Sequence, residues 1–273
     1  SMEMIDLSRL EPQETLNHTS KGNQLKWKCY GYWYKADHMG YEGLAETIVS
    51  ALLGKSTVKY PFVAYEYSQI KYKERIYRGC KSADFLADGY DLIPLEKLYR
   101  KFTGGSLAVD TAHQGEITDQ IKFLVNFVEQ TTGLQEFGRY LTSMLEIDAF
   151  FLNEDRHTNN IAVQYNAADN TYALCPLFDN GLSLLADTNM DFPLERSLED
   201  CLKTVEAKPF SRYFDEQLDA AEELYGIQLH FNFSTNDVKA LIDSYRTAYS
   251  QEICDRCEAL IRRQMRHYGY LVK

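Results

Sequence analysis

Asp155, Asn160 and Asp179 are the residues of this chain whose types and spacing could do chemistry. Asp155 and Asn160 stand five positions apart within Asn153-Glu154-Asp155-Arg156-His157-Thr158-Asn159-Asn160, and Phe178-Asp179-Asn180-Gly181 follows after two short apolar stretches. Phosphoryl transfer asks little covalent help of a protein: a carboxylate near the acceptor hydroxyl, oxygen ligands for Mg2+, and cations on the phosphates. A turn holding Asp155 and Asn160, with a returning strand delivering Asp179, would gather three oxygen-bearing side chains at one mouth, enough for a metal-nucleotide site. Singly each signal is weak, because Asp and Asn in turns usually cap backbone amides. As a unit they are stronger: an apolar helix (Ile147, Phe150, Phe151, Leu152), a loop dense in polar groups, a strand, a turn, a strand, then Leu177-Phe178-Asp179. Polar groups concentrated between buried elements usually have a function.

The elements that must position these residues fall into two kinds. The first third reads as strand-rich with one embedded helix. Aromatic residues alternate with polar ones over 24–37 (Trp27, Tyr30, Tyr32, Trp33, Tyr34), as a sheet prefers. Leu44, Ile48, Ala51 and Leu52 have helical spacing and end at Gly54, and segments 58–67 and 71–79 return to a strand pattern, giving the order strand, helix, strand, strand. Beyond about Ser82 the period changes, and 95–102, 117–130 and 134–152 predict helices. Two short strands, 161–165 and 171–175, are joined across a turn-rich link and bracketed by the candidate residues. Residues 181–210 read as an extended segment with one short helix, and helices resume at 215–225 and from 235 to the end.

The chain has 273 residues, 45% of them hydrophobic, enough for a sizeable core in one large domain or two unequal lobes. A net charge of -11 works against binding nucleic acid by counterion release and against adhesion to an anionic membrane. No apolar run approaches the roughly 18 to 20 residues of a membrane span. The six scattered cysteines fit a reduced, cytoplasmic protein, with export as an effector left open. Cys254-x-x-Cys257 resembles half of a zinc site, but no second pair accompanies it and it lies in a helical pattern.

The catalytic string resembles a known family. Asn153-x-Asp155-x-His157-x-x-Asn160 followed by Cys175-Pro176-Leu177-Phe178-Asp179 is similar to the catalytic loop and metal-binding segment of the HipA-like serine/threonine kinases, and Asp155-Arg156-His157 also resembles phosphatidylinositol 3- and 4-kinases of the same superfamily. Ser20-Lys21-Gly22-Asn23-Gln24-Leu25-Lys26 resembles the family's phosphate loop, one residue tighter between Ser and Gly. The resemblance implies an α+β, bilobal protein-kinase-like fold, with a small β-rich lobe holding one helix (1–82) and a larger, mainly α-helical lobe (83–273). It implies Asp155 as catalytic base, Asn160 and Asp179 as Mg2+ ligands, and His157 as a support of the loop. Ser20, Lys21, Gly22, Asn23 and Gln24 would meet phosphate. Lys35 would reach the α- and β-phosphates of ATP, held by Glu42 or Glu46; counting along the helix favours Glu42, and both stay open. Gly79, Cys80 and Lys81 would form the hinge that meets adenine. Residues 181–210 would serve as activation segment, with Ser183, Thr188, Ser197 or Ser211 open to phosphorylation. HipA proteins carry a subdomain before the phosphate loop, where only about 18 residues stand here, so a role in joint DNA binding is not expected.

The function expected from these readings is Mg-ATP-dependent transfer to a protein hydroxyl, with autophosphorylation in view. Its rivals are a lipid or small-molecule kinase of the same fold and a nucleotide-binding regulatory module without turnover. The acceptor, the oligomeric state and the pathway stay open.

Overall fold

The computed structural model describes residues 4–13, 21 and 23–273. Strand alternation organises the N-terminal part. β2 (Lys26–Cys29) and β3 (Tyr32–Ala36) form a hairpin whose two-residue turn, Tyr30-Gly31, has both residues at positive φ, as tight hairpins require. The sequence pattern over 24–37 is therefore two strands rather than one. With β1 (Met4–Asp6), β4 (Glu66–Tyr72) and β5 (Arg75–Ala83) they make a five-stranded sheet in the order β1-β4-β5-β3-β2, antiparallel except for β1 against β4.

Period two decides which face each side chain takes. Tyr34 and Ala36 enter a small core with Trp27, Ile70 and Leu7, so Lys35 between them must point to the opposite face. Lys26 lies directly across the ladder from Lys35 and shares that face. Two lysines thus stand side by side, facing the helix that follows.

That helix, α1 (Glu42–Leu53), is buried nearly all round. Leu44, Ala45, Ile48, Val49, Leu52 and Leu53 belong to the same core as the C-terminal helices, so α1 joins the sheet to the rest of the molecule. It reaches the sheet by a glycine contact: a Cβ on Gly43 would lie 2.6 Å from the backbone of Gly79, and one on Gly79 would lie 2.0 Å from the Lys35 carbonyl oxygen. Neither position tolerates a side chain without backbone movement. Gly43→Ala is expected to lower stability by about 1–3 kcal/mol, the range for overpacked sites, read as a shifted denaturant midpoint with unchanged slope.

The C-terminal part is helical: α2 (Leu95–Thr103), α3 (Leu107–Ala112), α4 (Ile117–Thr132), α5 (Phe137–Phe151), α6 (Leu198–Thr204), α7 (Phe214–Tyr225), α8 (Thr235–Asp243) and α9 (Gln251–His267). α5 is the axis of this lobe, buried along almost its whole length. β6 (Tyr90–Pro94), β7 (Ala162–Asn166) and β8 (Thr171–Leu174) form a second, antiparallel sheet. β6 and α3 escaped the sequence reading because each is short and follows a Gly-containing stretch with little periodicity. The six cysteines are thiols, and Cys254 and Cys257 are buried on α9. Among the described residues no helix is long and apolar enough to cross a membrane.

Candidate active site

The site lies where α1, β3, the end of α5 and the segment after β8 meet. α5 ends at Leu152 in the left-handed region, and the chain turns sharply into Asn153–Asn160. A buried ion pair holds this turn. Arg156, 2% exposed, donates through Nε (2.9 Å) and a terminal nitrogen (3.1 Å) to the two carboxylate oxygens of Asp148 on α5. Its other hydrogen bonds go to the carbonyls of Asn160 and Phe178 and to Asn180 Oδ1, all within 3.2 Å. One guanidinium therefore fixes the Asn160 end of the loop and the Phe178–Asn180 segment against a helix, and Asn153 Nδ2 at the other end donates to the same Asp148 carboxylate (3.1 Å). Sequence reading missed this role, although a charged Asp148 between the apolar Ile147 and Ala149 was the available signal.

Within that frame Asp155 and Asn160 are in direct contact. Asn160 Nδ2 donates to the Asp155 carbonyl (2.7 Å) and to its Oδ2 (3.1 Å), and it lies 3.1 Å from His157 Nε2. Burial, helped by the charge of Asp179, pushes the Asp155 carboxyl up to about 6, against the pull of Lys208, Asn160 and Arg156. Burial also pushes His157 down to about 4, so it is neutral near pH 7 and supports the loop as an uncharged ring.

Asp179 has φ of +61°, uncommon for a residue with a side chain and typical of positions over-determined by their surroundings. Here Asn153 Nδ2 donates to the Asp179 carbonyl (3.1 Å), and the Asn180 N–H donates to Glu46 Oε1 (2.6 Å). Burial alone would raise the Asp179 carboxyl, but Lys35, Lys26 and Arg156 outweigh it and hold the group below its ordinary range.

Lys35 Nζ lies 2.9 Å from Glu46 Oε2 and 3.2 Å from Asp179 Oδ1, with the Tyr65 ring beside it. Burial works against the charged amine, yet Glu46, Tyr65 and Asp179 more than compensate and keep it protonated. Glu46 is thus the glutamate that meets Lys35. Glu42, favoured by counting along the helix, is spent elsewhere: its carboxylate accepts the backbone N–H groups of His38, Met39 and Gly40 at 2.8–3.1 Å. Both glutamates line the cleft, but the loop before α1 folds back over Glu42 and leaves only Glu46 within reach of the lysine. Glu42→Gln is expected to cost about 1–3 kcal/mol, because an amide N–H would face backbone donors; a denaturant titration reads it.

The remaining expected positions divide. Lys21, Asn23 and Gln24 line the cleft with Lys26, Lys35, Asp155, Asn160 and Asp179. Ser20 and Gly22 lie outside the described residues. The Lys21 ammonium sits among Glu154, Asp187 (2.7 Å) and Asp191 (2.8 Å), three carboxylates whose oxygens lie within 4.8 Å of one another. Gly79, Cys80 and Lys81 are not a hinge. They occupy the middle of β5, paired to β3 on one side and β4 on the other, so their backbone groups are committed to ladders. Gly79 is instead the contact point of α1. Cys80 is buried with Val63, Tyr65, Cys175 and Phe178, and the connection between the two sheets is 84–89.

Fold and cleft together define a bilobal, kinase-like α+β protein, with a curled sheet over a helical lobe and the candidate residues between them. Among solved structures the chain is similar to the Helicobacter pylori proinflammatory kinase CtkA, with a TM-score of 0.64 over 96% of this chain and 95% of that one, at 16% identity. At that identity the likeness carries the fold alone. No protein-family profile and no curated protein sequence matches the chain.

Proposed function

We propose that this chain is a Mg-ATP-dependent phosphotransferase of the HipA-like kind, acting on the hydroxyl of a protein serine or threonine. The observation that carries the reading is the convergence of Lys35, Glu46, Asp179, Asn160 and Asp155 on one cleft from four separate stretches of chain. The lobes are residues 1–82 and 83–273, and the connection at 84–89 replaces Gly79–Lys81 as the segment that meets adenine, beside the apolar cluster around Cys80 and Phe178. The name of the structural neighbour, a kinase, supports the same class.

The donors suit a hard cation. Asn160 spends its amide nitrogen on Asp155, which leaves Oδ1, and Asp179 spends Oδ1 on Lys35, which leaves Oδ2. Two such oxygens with phosphate and water complete the sphere that Mg2+ prefers. When bound, the ion would screen the negative charge of the phosphate oxygens. Lys35, oriented by Glu46, would grip the α- and β-phosphates, and ionised Asp155 would take the proton of the acceptor hydroxyl. The cleft cavity is about 70 Å3, against roughly 300 Å3 or more for a small-molecule site.

The test is incubation with γ-labelled and α-labelled ATP, first with the protein alone and then with a generic protein acceptor, with and without EDTA. Protein labelled only by the γ-label and only without EDTA is the expected result. Label appearing on vesicle lipid or a metabolite panel instead would move the acceptor class, and ATP binding without transfer to any of them would overturn the enzyme reading. Glu46→Gln is expected to lower transfer about a hundredfold by freeing Lys35 from its orienting charge, whereas Glu42→Gln leaves the lysine pair intact.

A further inference from the structure

Lys35 and Glu46 meet only while β3 and α1 keep one register, and the chain pins that register at a second point. Alternation turns Asp37 to the same face as Lys35. The ladder continues through it, since the Asp37 N–H donates to the Arg78 carbonyl of β5 (2.7 Å). Asp37 Oδ1 accepts the N–H of Gly43 (2.6 Å), three residues before Glu46 on α1. The helix has no side-chain cap of its own at Tyr41, so this carboxyl meets a first-turn donor that the helix itself leaves unpaired. Lys35 to Glu46 and Asp37 to Gly43 are therefore two ties between one strand and one helix.

The second tie is held from the helical lobe. Tyr249 lies in the connection between α8 and α9 and is 3% exposed. Its hydroxyl donates to Asp37 Oδ2 (2.7 Å), 212 positions away in sequence. The ring is fixed independently of that bond: the Tyr67 ring of β4 meets it edge-on with centroids 5.8 Å apart, and the Arg78 guanidinium lies 4.6 Å from its centroid. The hydroxyl thus adds direction to packing that the ring already supplies. With one oxygen on Tyr249 and the other on Gly43, the Asp37 carboxyl has no freedom to turn away from α1.

We propose that Tyr249 is a positioning residue of this site: acting through Asp37, its hydroxyl sets α1 so that Glu46 meets Lys35, and it thereby couples the helical lobe to the lysine that grips phosphate. The inference rests on the phosphotransferase reading. Tyr249 does not line the cleft, so its effect on the chemistry passes through Asp37, Gly43 and Glu46.

The experiment is a double-mutant cycle on phosphoryl transfer, measured with MgATP and a generic protein acceptor for the full chain as wild type, Tyr249→Phe, Glu46→Gln and the two together. Tyr249→Phe keeps the ring with its Tyr67 and Arg78 contacts and removes the hydroxyl alone. It is expected to lower kcat about tenfold in the wild-type background, the scale of a misplaced reacting group. In the Glu46→Gln background the charge that orients Lys35 is already gone, and the same substitution should lower kcat by less than about twofold, because residues that act as a unit are not additive. Asp37→Ala breaks the tie from its other end and is expected to show the same dependence on Glu46. A merely structural hydroxyl would cost the same factor in both backgrounds, and that equal loss would overturn the proposal, as would an undiminished rate in Tyr249→Phe. A wild type that binds MgATP and transfers nothing would instead sink the phosphotransferase reading, and this inference with it.

Discussion

Asp155→Asn is expected to lower phosphoryl transfer about a thousandfold while leaving nucleotide affinity within about twofold, because a general base acts in the transition state and not in nucleotide binding. The substitution keeps size and an acceptor oxygen for Asn160 Nδ2, so the loop should survive it. The pH profile supplies an independent check. Burial pushes the Asp155 carboxyl up to about 6, and a base works only when ionised. Transfer per unit of free enzyme should therefore hold above that value and fall as pH drops through about 6, with a limb that Asp155→Asn no longer shows. Steady-state kinetics between pH 5 and pH 8, roughly the range in which such a group titrates, would show it. A variant with wild-type rate would remove Asp155 from the chemistry.

Asp148→Ala is expected to destabilise the fold by about 3–5 kcal/mol, the usual cost of leaving one member of a buried ion pair uncompensated. Asp148 is fully buried, and its removal would strand the Arg156 guanidinium, itself 2% exposed, with only neutral oxygens around it. Urea titration gives the magnitude. The double variant Asp148→Leu with Arg156→Met should recover much of the loss, since an apolar pair of similar volume often replaces a buried ion pair at little cost. It should not recover transfer: without the guanidinium nothing ties the Asn160 and Phe178 carbonyls to α5, and Asp155 and Asp179 lose their common anchor. Recovered stability with recovered transfer would show the pair to be a packing element alone.

Local regularities made part of this protein legible. The period change near residue 82, the helices around 95–102, 117–130, 134–152 and 215–225, and the hairpin at 161–175 rest on patterns of two and 3.6 residues that a chain displays in one dimension. The same holds for Asp155 and Asn160, which one short turn brings into contact, and for Lys35, which alternation alone turns away from the Tyr34 and Ala36 face.

Other features depended on chain segments far apart in sequence, and only packing decided them. Glu42 and Glu46 share a helix face one turn apart; the choice between them came from the fold of 38–40 over Glu42 and from the arrival of Asn180, 134 positions away, at Glu46. Gly79 reads as a strand-end glycine, yet a Cβ there would strike the Lys35 carbonyl of β3, and its backbone is what Gly43 of α1 lies against. Arg156 reads as one charge in a polar loop until α5 and the Phe178–Asn180 segment close round it. Lys21 belongs by sequence to a phosphate loop and in the fold sits among three carboxylates of the other lobe. The sequence by itself determined most of the longer elements and which side chains a single turn or strand sets together. The tertiary structure decided which charges neutralise one another, because that depends on distances across the molecule that no local period encodes.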